Sequence, residues 1–253
     1  MTNKSTDFVT SLAKGLQVIE AFSADCPRLS ITDVARQTGL DRATARRCLL
    51  TLHTLGYADY DGKYFTLAVR SLRLGLAGLS SMPLPHIVQP WLDKLSERIG
   101  QSCSVSILDG NEIVYIARAA QRRIMSIGLM PGSRLPVHCT SMGRVLLSSL
   151  PEDEARALIE SCELVPRTPF SLTDTELILE ELARVREQGY ALLDQEVEIG
   201  LRAIAIGLVG QRGKVCAALN VAVAAVQPDA ADLIDIYLPE MRRVQSGLAR
   251  VLP

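Results

Sequence analysis

Residues 30–65, SITDVARQTGLDRATARRCLLTLHTLGYADYDGKYF, limit the possible folds of this chain more than any other stretch. They read as a short helix, a tight turn, a second helix rich in arginine and a small hairpin. That order is a winged helix-turn-helix, a shape that lays its second helix in the DNA major groove. Ser30 or Thr32 can cap the first helix, because a hydroxyl there accepts an otherwise unpaired backbone N–H. Ile31, Val34 and Ala35 give that helix an apolar stripe, and Gly39 suits the left-handed residue that ends it. Asp41 can cap the second helix, in which Ala45, Leu49, Leu52 and Leu55 share one face. Arg42, Arg46 and Arg47 fall on the other side, with Ala43 and Thr44 near the helix start, where base contacts usually occur. Arginine offers planar, paired donors to phosphates and guanine edges. Arginines alone would describe any solvated helix face; the turn before them and the hairpin after them give the face a groove to read. Tyr57–Tyr60 and Lys63–Thr66 flank Asp61-Gly62, a dipeptide that favours a two-residue primed turn. Lys63 on such a wing lies beside the DNA backbone or minor groove, unless the hairpin only completes the core. Ahead of this module, Asp7–Phe22 reads as a helix with Val9, Leu12, Ala13, Leu16 and Ile19 inward and Lys14 near phosphate.

The charge distribution agrees. The whole chain of 253 residues has a net charge of −1, so it does not bind polyanions in bulk. Residues 1–80 hold ten basic against seven acidic side chains, and residues 81–253 hold seventeen against twenty-one. A mildly basic module on an acidic body suits a DNA reader that relies on a few contacts. Six scattered cysteines without C-x-x-C pairs and the lack of a signal-like or membrane-spanning run lead us to expect a cytoplasmic protein with reduced thiols. His138-Cys139 is adjacent, but three widely spaced histidines make a poor metal set. No nucleophile elbow, Walker sequence or G-x-G-x-x-G pattern is present, so neither an enzyme nor a cofactor is expected.

Beyond the wing, Ala68–Leu79 reads as a helix carrying Val69, Leu72, Leu76 and Leu79, which makes it a connector and a candidate dimer seam. Ser80–Pro85 breaks it. The expected organisation is a DNA-binding module over 1–67, a linker over 68–85 and a second domain over 86–253. In the second domain a helix over Ile87–Ile99 precedes a hairpin of Cys103–Leu108 and Ile113–Ala117, and Ile124–Leu129 reads as a third strand. A loop over Pro131–Pro136 and helices over Ser141–Leu150, Glu152–Cys162 and Asp174–Gln188 follow. Strands return at Ala191–Leu193, Leu201–Leu208 and Val215–Val223, before a last helix over Ala230–Leu252. Without regular βαβ alternation, the expectation is an α+β fold with an antiparallel sheet.

Over nearly its whole length the chain resembles the IclR family of bacterial transcription regulators. The resemblance rests on the winged module, on Pro136-Val137-His138-Cys139-Thr140-Ser141-Met142-Gly143-Arg144-Val145-Leu146-Leu147, and on Gly189-Tyr190-Ala191-Leu192-Leu193-Asp194-Gln195-Glu196 followed by Gly200. The versions here are most similar to the subgroup controlling protocatechuate, 4-hydroxybenzoate and β-ketoadipate catabolism. The resemblance implies a GAF-like effector domain with its pocket between the sheet and residues 131–147. It implies a homodimer, or a dimer of dimers, that binds double-stranded operator DNA and responds to a small aromatic or dicarboxylic acid, with no membrane involved. A regulator of another carbon source, or a DNA-binding protein without a ligand, is the alternative. Within the implied pocket, backbone N–H groups at the start of Ser141–Leu150, with Thr140, Ser141 and Met142, form an anion site. Arg134, Arg144 or Arg202 can pair with a carboxylate, unless Arg144 is a surface or interface arginine; His138 can bond a phenolic hydroxyl, and Asn220 in an apolar strand needs a partner. Arg202 is favoured because an arginine in a buried strand demands an anion. Arg134 can equally bridge to an acidic neighbour, and Glu196 belongs either to the pocket or to a structural loop.

Overall fold

The computed structural model describes residues 7–23, 26–121, 128–211, 213–226 and 229–252. The chain divides into two compact units, one ending at Ser81 and one beginning at Met82.

In the first unit, helices α1 (Thr10–Glu20), α2 (Ile31–Thr38) and α3 (Arg42–Thr54) precede strands β1 (Ala58–Tyr60) and β2 (Phe65–Leu67) and helix α4 (Leu72–Ser81). Ser30 is the cap of α2. Its Oγ accepts the Asp33 N–H at 3.2 Å, and the Asp33 carboxylate accepts the Ser30 N–H at 2.9 Å, so two end donors are satisfied together. Gly39 ends α2 at φ +69°, and Asp41 Oδ1 accepts the Thr44 N–H at 2.9 Å to start α3. Val18, Val34, Ala45, Leu49, Leu52 and Phe65 are buried together as the core of this unit. Fully burying each of the larger ones stabilises by roughly 1.5–3 kcal/mol.

Three expectations need correction here. The apolar residues of α1 fill two adjacent stripes, and only the one holding Val18 and Ile19 meets the core, whereas Val9, Leu12 and Leu16 are exposed. Helical period alone cannot choose between neighbouring stripes. Leu55 also lies outside the core, because α3 ends at Thr54. The wing turn has four residues instead of two. Tyr60 pairs with Phe65, and the Asp61 carboxylate accepts the N–H groups of Lys63 at 2.9 Å and Tyr64 at 2.8 Å. That side chain supplies the bonds a tighter turn would take from the backbone. Leu72, Leu74 and Leu76 of α4 are exposed, while the Leu79 side chain lies outside the described residues.

The second unit is a six-stranded antiparallel sheet in the order β5-β4-β3-β8-β7-β6. Its strands are β3 (Ser102–Asp109), β4 (Glu112–Ala119), β5 (Arg134–Pro136), β6 (Ala191–Asp194), β7 (Leu201–Val209) and β8 (Val215–Ala224). Helices α5 (Pro83–Ile99) and α9 (Asp232–Leu248) pack on one face, and α6 (Ser141–Ser148), α7 (Glu152–Ser161) and α8 (Thr175–Gln188) cover the other. The two faces are written in the period of β3: Cys103, Val105 and Ile107 face α5 and α9, and Ser102, Ser104 and Ser106 alternate with them. Arg134–Pro136, expected as loop, pairs with β4 as a short edge strand, a place where proline is tolerated. Residues 124–127 of the expected third strand lie outside the described residues. The α+β architecture is as expected, and among the described residues no helix is long and apolar enough to cross a membrane.

Candidate functional site

The first candidate surface is α3 with the wing. Arg42, Ala43, Arg46 and Arg47 are exposed there, and Lys63 is exposed at the wing turn. Arg28 forms an ion pair with Asp61, and its guanidinium lies 4.5 Å from the centre of the Tyr64 ring. The N–H groups of Tyr64 and Lys63, together with Arg28, hold the Asp61 carboxyl down to about 2, so the turn carries a fixed negative charge at neutral pH. Lys14 is half-buried in a groove between α1 and α3 that Thr44 and Arg47 also line. Thr44 is a correction. Expected at the DNA, it is only 6% exposed, on the side of α3 that carries Ala45, and its hydroxyl accepts from Arg47 Nη2 at 3.2 Å. The periodic face that buries Ala45 and Leu49 takes Thr44 with it.

The second candidate is a cavity between the sheet and the start of α6. It spans about 450 Å³, part of it open to solvent. Thr140, Ser141 and Met142 form the α6 side, Glu196 and Val197 a loop wall, and Ala203, Asn220 and Ala222 part of the floor. Thr140 Oγ1 caps α6 through the Gly143 N–H at 3.1 Å, which leaves Ser141 and Met142 in the first helical turn beside the cavity. Asn220 is 6% exposed, and among the described residues its Oδ1 has no hydrogen-bond partner. In a buried strand that acceptor costs about 1–3 kcal/mol until something donates to it.

Glu196 borders the cavity but is committed elsewhere. Its Oε2 accepts from Arg144 Nη2 at 2.6 Å and from the Leu172 N–H at 3.1 Å. Arg144 is 2% exposed, and its Nε donates to the His138 carbonyl at 3.2 Å. This ion pair ties α6 to the loop after β6. Gln195, just before Glu196, has φ +61° and is the non-glycine residue with positive φ among those described.

Three expected residues are not brought to the cavity. Arg134 is a surface residue bonded to Glu112 at 2.6 Å and Asp109 at 2.7 Å. Arg202 sits on the opposite face of β7, with its Nε 2.9 Å from Asp194 Oδ1, while Ala203 faces the cavity. Its demand for an anion is met by the cross-strand partner that register places opposite it. His138 is buried with Nε2 3.3 Å from the Val165 carbonyl, and burial pushes its pKa down. Cys139 beside it is pushed up to about 11 by burial, so the pair offers no thiolate for catalysis.

Arg118 and Tyr115 line the cavity and were not anticipated. The expected strand ended at Ala117, one residue short of Arg118. The argument applied to Arg202, that a strand arginine needs an anion, identifies Arg118 once β4 is extended to Ala119. Burial also raises the Tyr115 pKa, which keeps its phenol neutral.

Comparison with known proteins agrees with both regions. Residues 11–62 match the IclR helix-turn-helix domain, and residues 76–247 match the family described as bacterial transcriptional regulator IclR C-terminal. The chain is 42% identical over 247 residues to the Pca regulon regulatory protein of Pseudomonas putida, covering 97% of this chain and 85% of that protein. It is 39% identical over 254 residues to the p-hydroxybenzoate hydroxylase transcriptional activator of Acinetobacter baylyi, covering 98% and 94%. Among solved structures, the inducer-binding domain of the Acinetobacter PobR transcription factor, a double mutant in complex with 3-hydroxybenzoic acid, is similar with a TM-score of 0.63 and 34% identity. That match covers 66% of this chain and 98% of that one.

Proposed function

Since the chain belongs to the IclR family of bacterial transcriptional regulators, we propose that it controls genes of aromatic-acid catabolism by binding their operator through α3 and the wing and a small organic acid in the cavity beside α6. The observation that carries the sensor half is the unpartnered Asn220 Oδ1 in the lining of a cavity bordered by a helix N-terminus. A ligand in the cavity that donates a hydrogen bond there satisfies this buried acceptor. The DNA half rests on Arg42, Arg46 and Arg47, exposed on one side of a helix whose other side is packed into the core.

The assembly is a homodimer. Val9, Leu12 and Leu16 of α1 and Leu72, Leu74 and Leu76 of α4 are exposed apolar residues of the DNA-binding unit, and a second copy covers them while supplying the second recognition helix. Two such helices read the half-sites of a roughly palindromic operator.

The test is a gel shift with double-stranded fragments from the chain's own promoter region at modest ionic strength, with and without 4-hydroxybenzoate. Arg46→Ala is expected to weaken the complex about tenfold, as loss of a base or phosphate contact does, and the acid to change the affinity of the unaltered protein. Wild-type affinity in Arg46→Ala overturns the groove assignment. Operator binding that ignores 4-hydroxybenzoate, protocatechuate and 3-oxoadipate alike leaves a DNA-binding protein without a sensor.

A further inference from the structure

Among the described residues two charged side chains line the cavity, Arg118 and Glu196, and they are not equivalent. Glu196 is neutralised from behind by Arg144. The guanidinium of Arg118 donates to Ser104 Oγ at 3.1 Å, and among the described residues no carboxylate lies within 4.0 Å of it. Arg144, buried behind Glu196, and Arg202, on the opposite face of β7, each have one. The described lining thus carries one uncompensated positive charge, and most of the donors of Arg118 remain available. Ser104 also sets the geometry. It lies opposite Arg118 on one neighbouring strand and opposite Asn220 on the other. The Arg118 and Asn220 backbones are therefore two strand spacings apart, roughly 10 Å. A cation stands at one end of this row and an unpartnered acceptor at the other, with Leu129, Leu135, Leu193 and Val197 among the apolar residues around them.

We propose that this row selects the effector: a monocarboxylic aromatic acid bearing a hydroxyl remote from the carboxylate, with the carboxylate on Arg118 and the hydroxyl donating to Asn220 Oδ1. The proposal rests on the effector reading above and narrows it, because it sets dicarboxylic acids aside. A second carboxylate at the Asn220 end would meet an acceptor and no cation, and burying an unpaired charge costs more than the remaining contacts return. A benzoate without the hydroxyl would leave Asn220 Oδ1 as unsatisfied as it is in the empty cavity.

Isothermal titration of the full-length protein with 4-hydroxybenzoate, benzoate and 3-oxoadipate tests this. The hydroxy acid is expected to bind at least about tenfold more tightly than either of the others. Arg118→Gln should weaken 4-hydroxybenzoate at least about tenfold. Asn220→Leu should bring the ratio of 4-hydroxybenzoate to benzoate affinity close to one; because both ligands are measured on the same variant, partial unfolding cancels from that ratio. Three results each overturn the proposal while leaving the sensor reading intact: 3-oxoadipate binding as tightly as the hydroxy acid, wild-type affinity in Arg118→Gln, or an unchanged ratio in Asn220→Leu. If neither these three acids nor protocatechuate binds the folded wild-type protein, both this proposal and the effector reading beneath it are lost.

Discussion

At the scale of single residues, the turn into α6 leaves least room for change. A Cβ on Gly143 would lie 2.2 Å from the Val137 carbonyl oxygen and 2.5 Å from Thr140 Oγ1. Neither is the tip of a flexible side chain, so the backbone itself would have to move. Gly143→Ala should therefore destabilise by about 1–3 kcal/mol, read as a lower urea midpoint with an unchanged slope. Arg144 and Glu196 make a second prediction. Glu196→Gln leaves a buried guanidinium without its counter-charge and should destabilise by about 3–5 kcal/mol, whereas the paired change Arg144→Met with Glu196→Leu should cost clearly less. Equal losses in the single and paired variants would show that the ion pair itself stabilises the fold. Residue types alone did not separate these roles. Arg134, Arg144 and Arg202 all sit near apolar segments in the sequence, and what distinguishes them is the acid that sheet register or loop closure brings alongside: Glu112 and Asp109, Glu196, and Asp194. Those partners lie up to 52 residues away, a separation at which local pattern carries no signal. Asn220 was legible because a polar side chain inside an apolar strand is a local anomaly.

At the scale of elements, caps were legible and turns less so. Ser30 and Asp41 start α2 and α3 with the hydrogen bonds their positions suggest. Position relative to the first apolar turn specifies a cap, so short-range sequence suffices. The wing turn depended on a side chain replacing backbone bonds, and β5 depended on pairing with β4, which its one proline, Pro136, disguised. The wing also has a defined acid limit. The Asp61 carboxyl is held at about 2 in the folded turn against 3.8 when free, by the N–H groups of Tyr64 and Lys63 and by Arg28. Its folded pKa is depressed, so its contribution is complete above about pH 4 and is lost as the pH falls toward 2. The Lys63 and Tyr64 amide resonances should accordingly hold their positions from pH 8 to pH 5 and move together only below about pH 3. Titration of those amides near pH 4 would mean that Asp61 does not cap the turn.

At the scale of the whole molecule, the two units matter to each other only through a free-energy coupling. An acid bound in the second unit affects operator binding by the first only if it binds one state of the protein more tightly than another. Each tenfold change in operator affinity requires about 1.4 kcal/mol of that preference. The sign of regulation is set by which state the acid favours, and the same protein can be read in either direction without any change in the contacts. The requirement has a consequence that needs no knowledge of the sign. If saturating 4-hydroxybenzoate changes operator affinity by some factor, then saturating operator must change 4-hydroxybenzoate affinity by the same factor and in the same sense. Both can be measured, the first by fluorescence anisotropy of labelled operator and the second by titrating the acid into the protein–DNA complex. Equal factors are expected for the wild-type protein. In Arg118→Gln the acid must be raised in proportion to its weakened binding to reach the same factor, because the arginine reads the acid and leaves the coupling alone. A wild-type protein whose acid affinity is identical with and without operator would have a cavity that is not connected to its DNA-binding face.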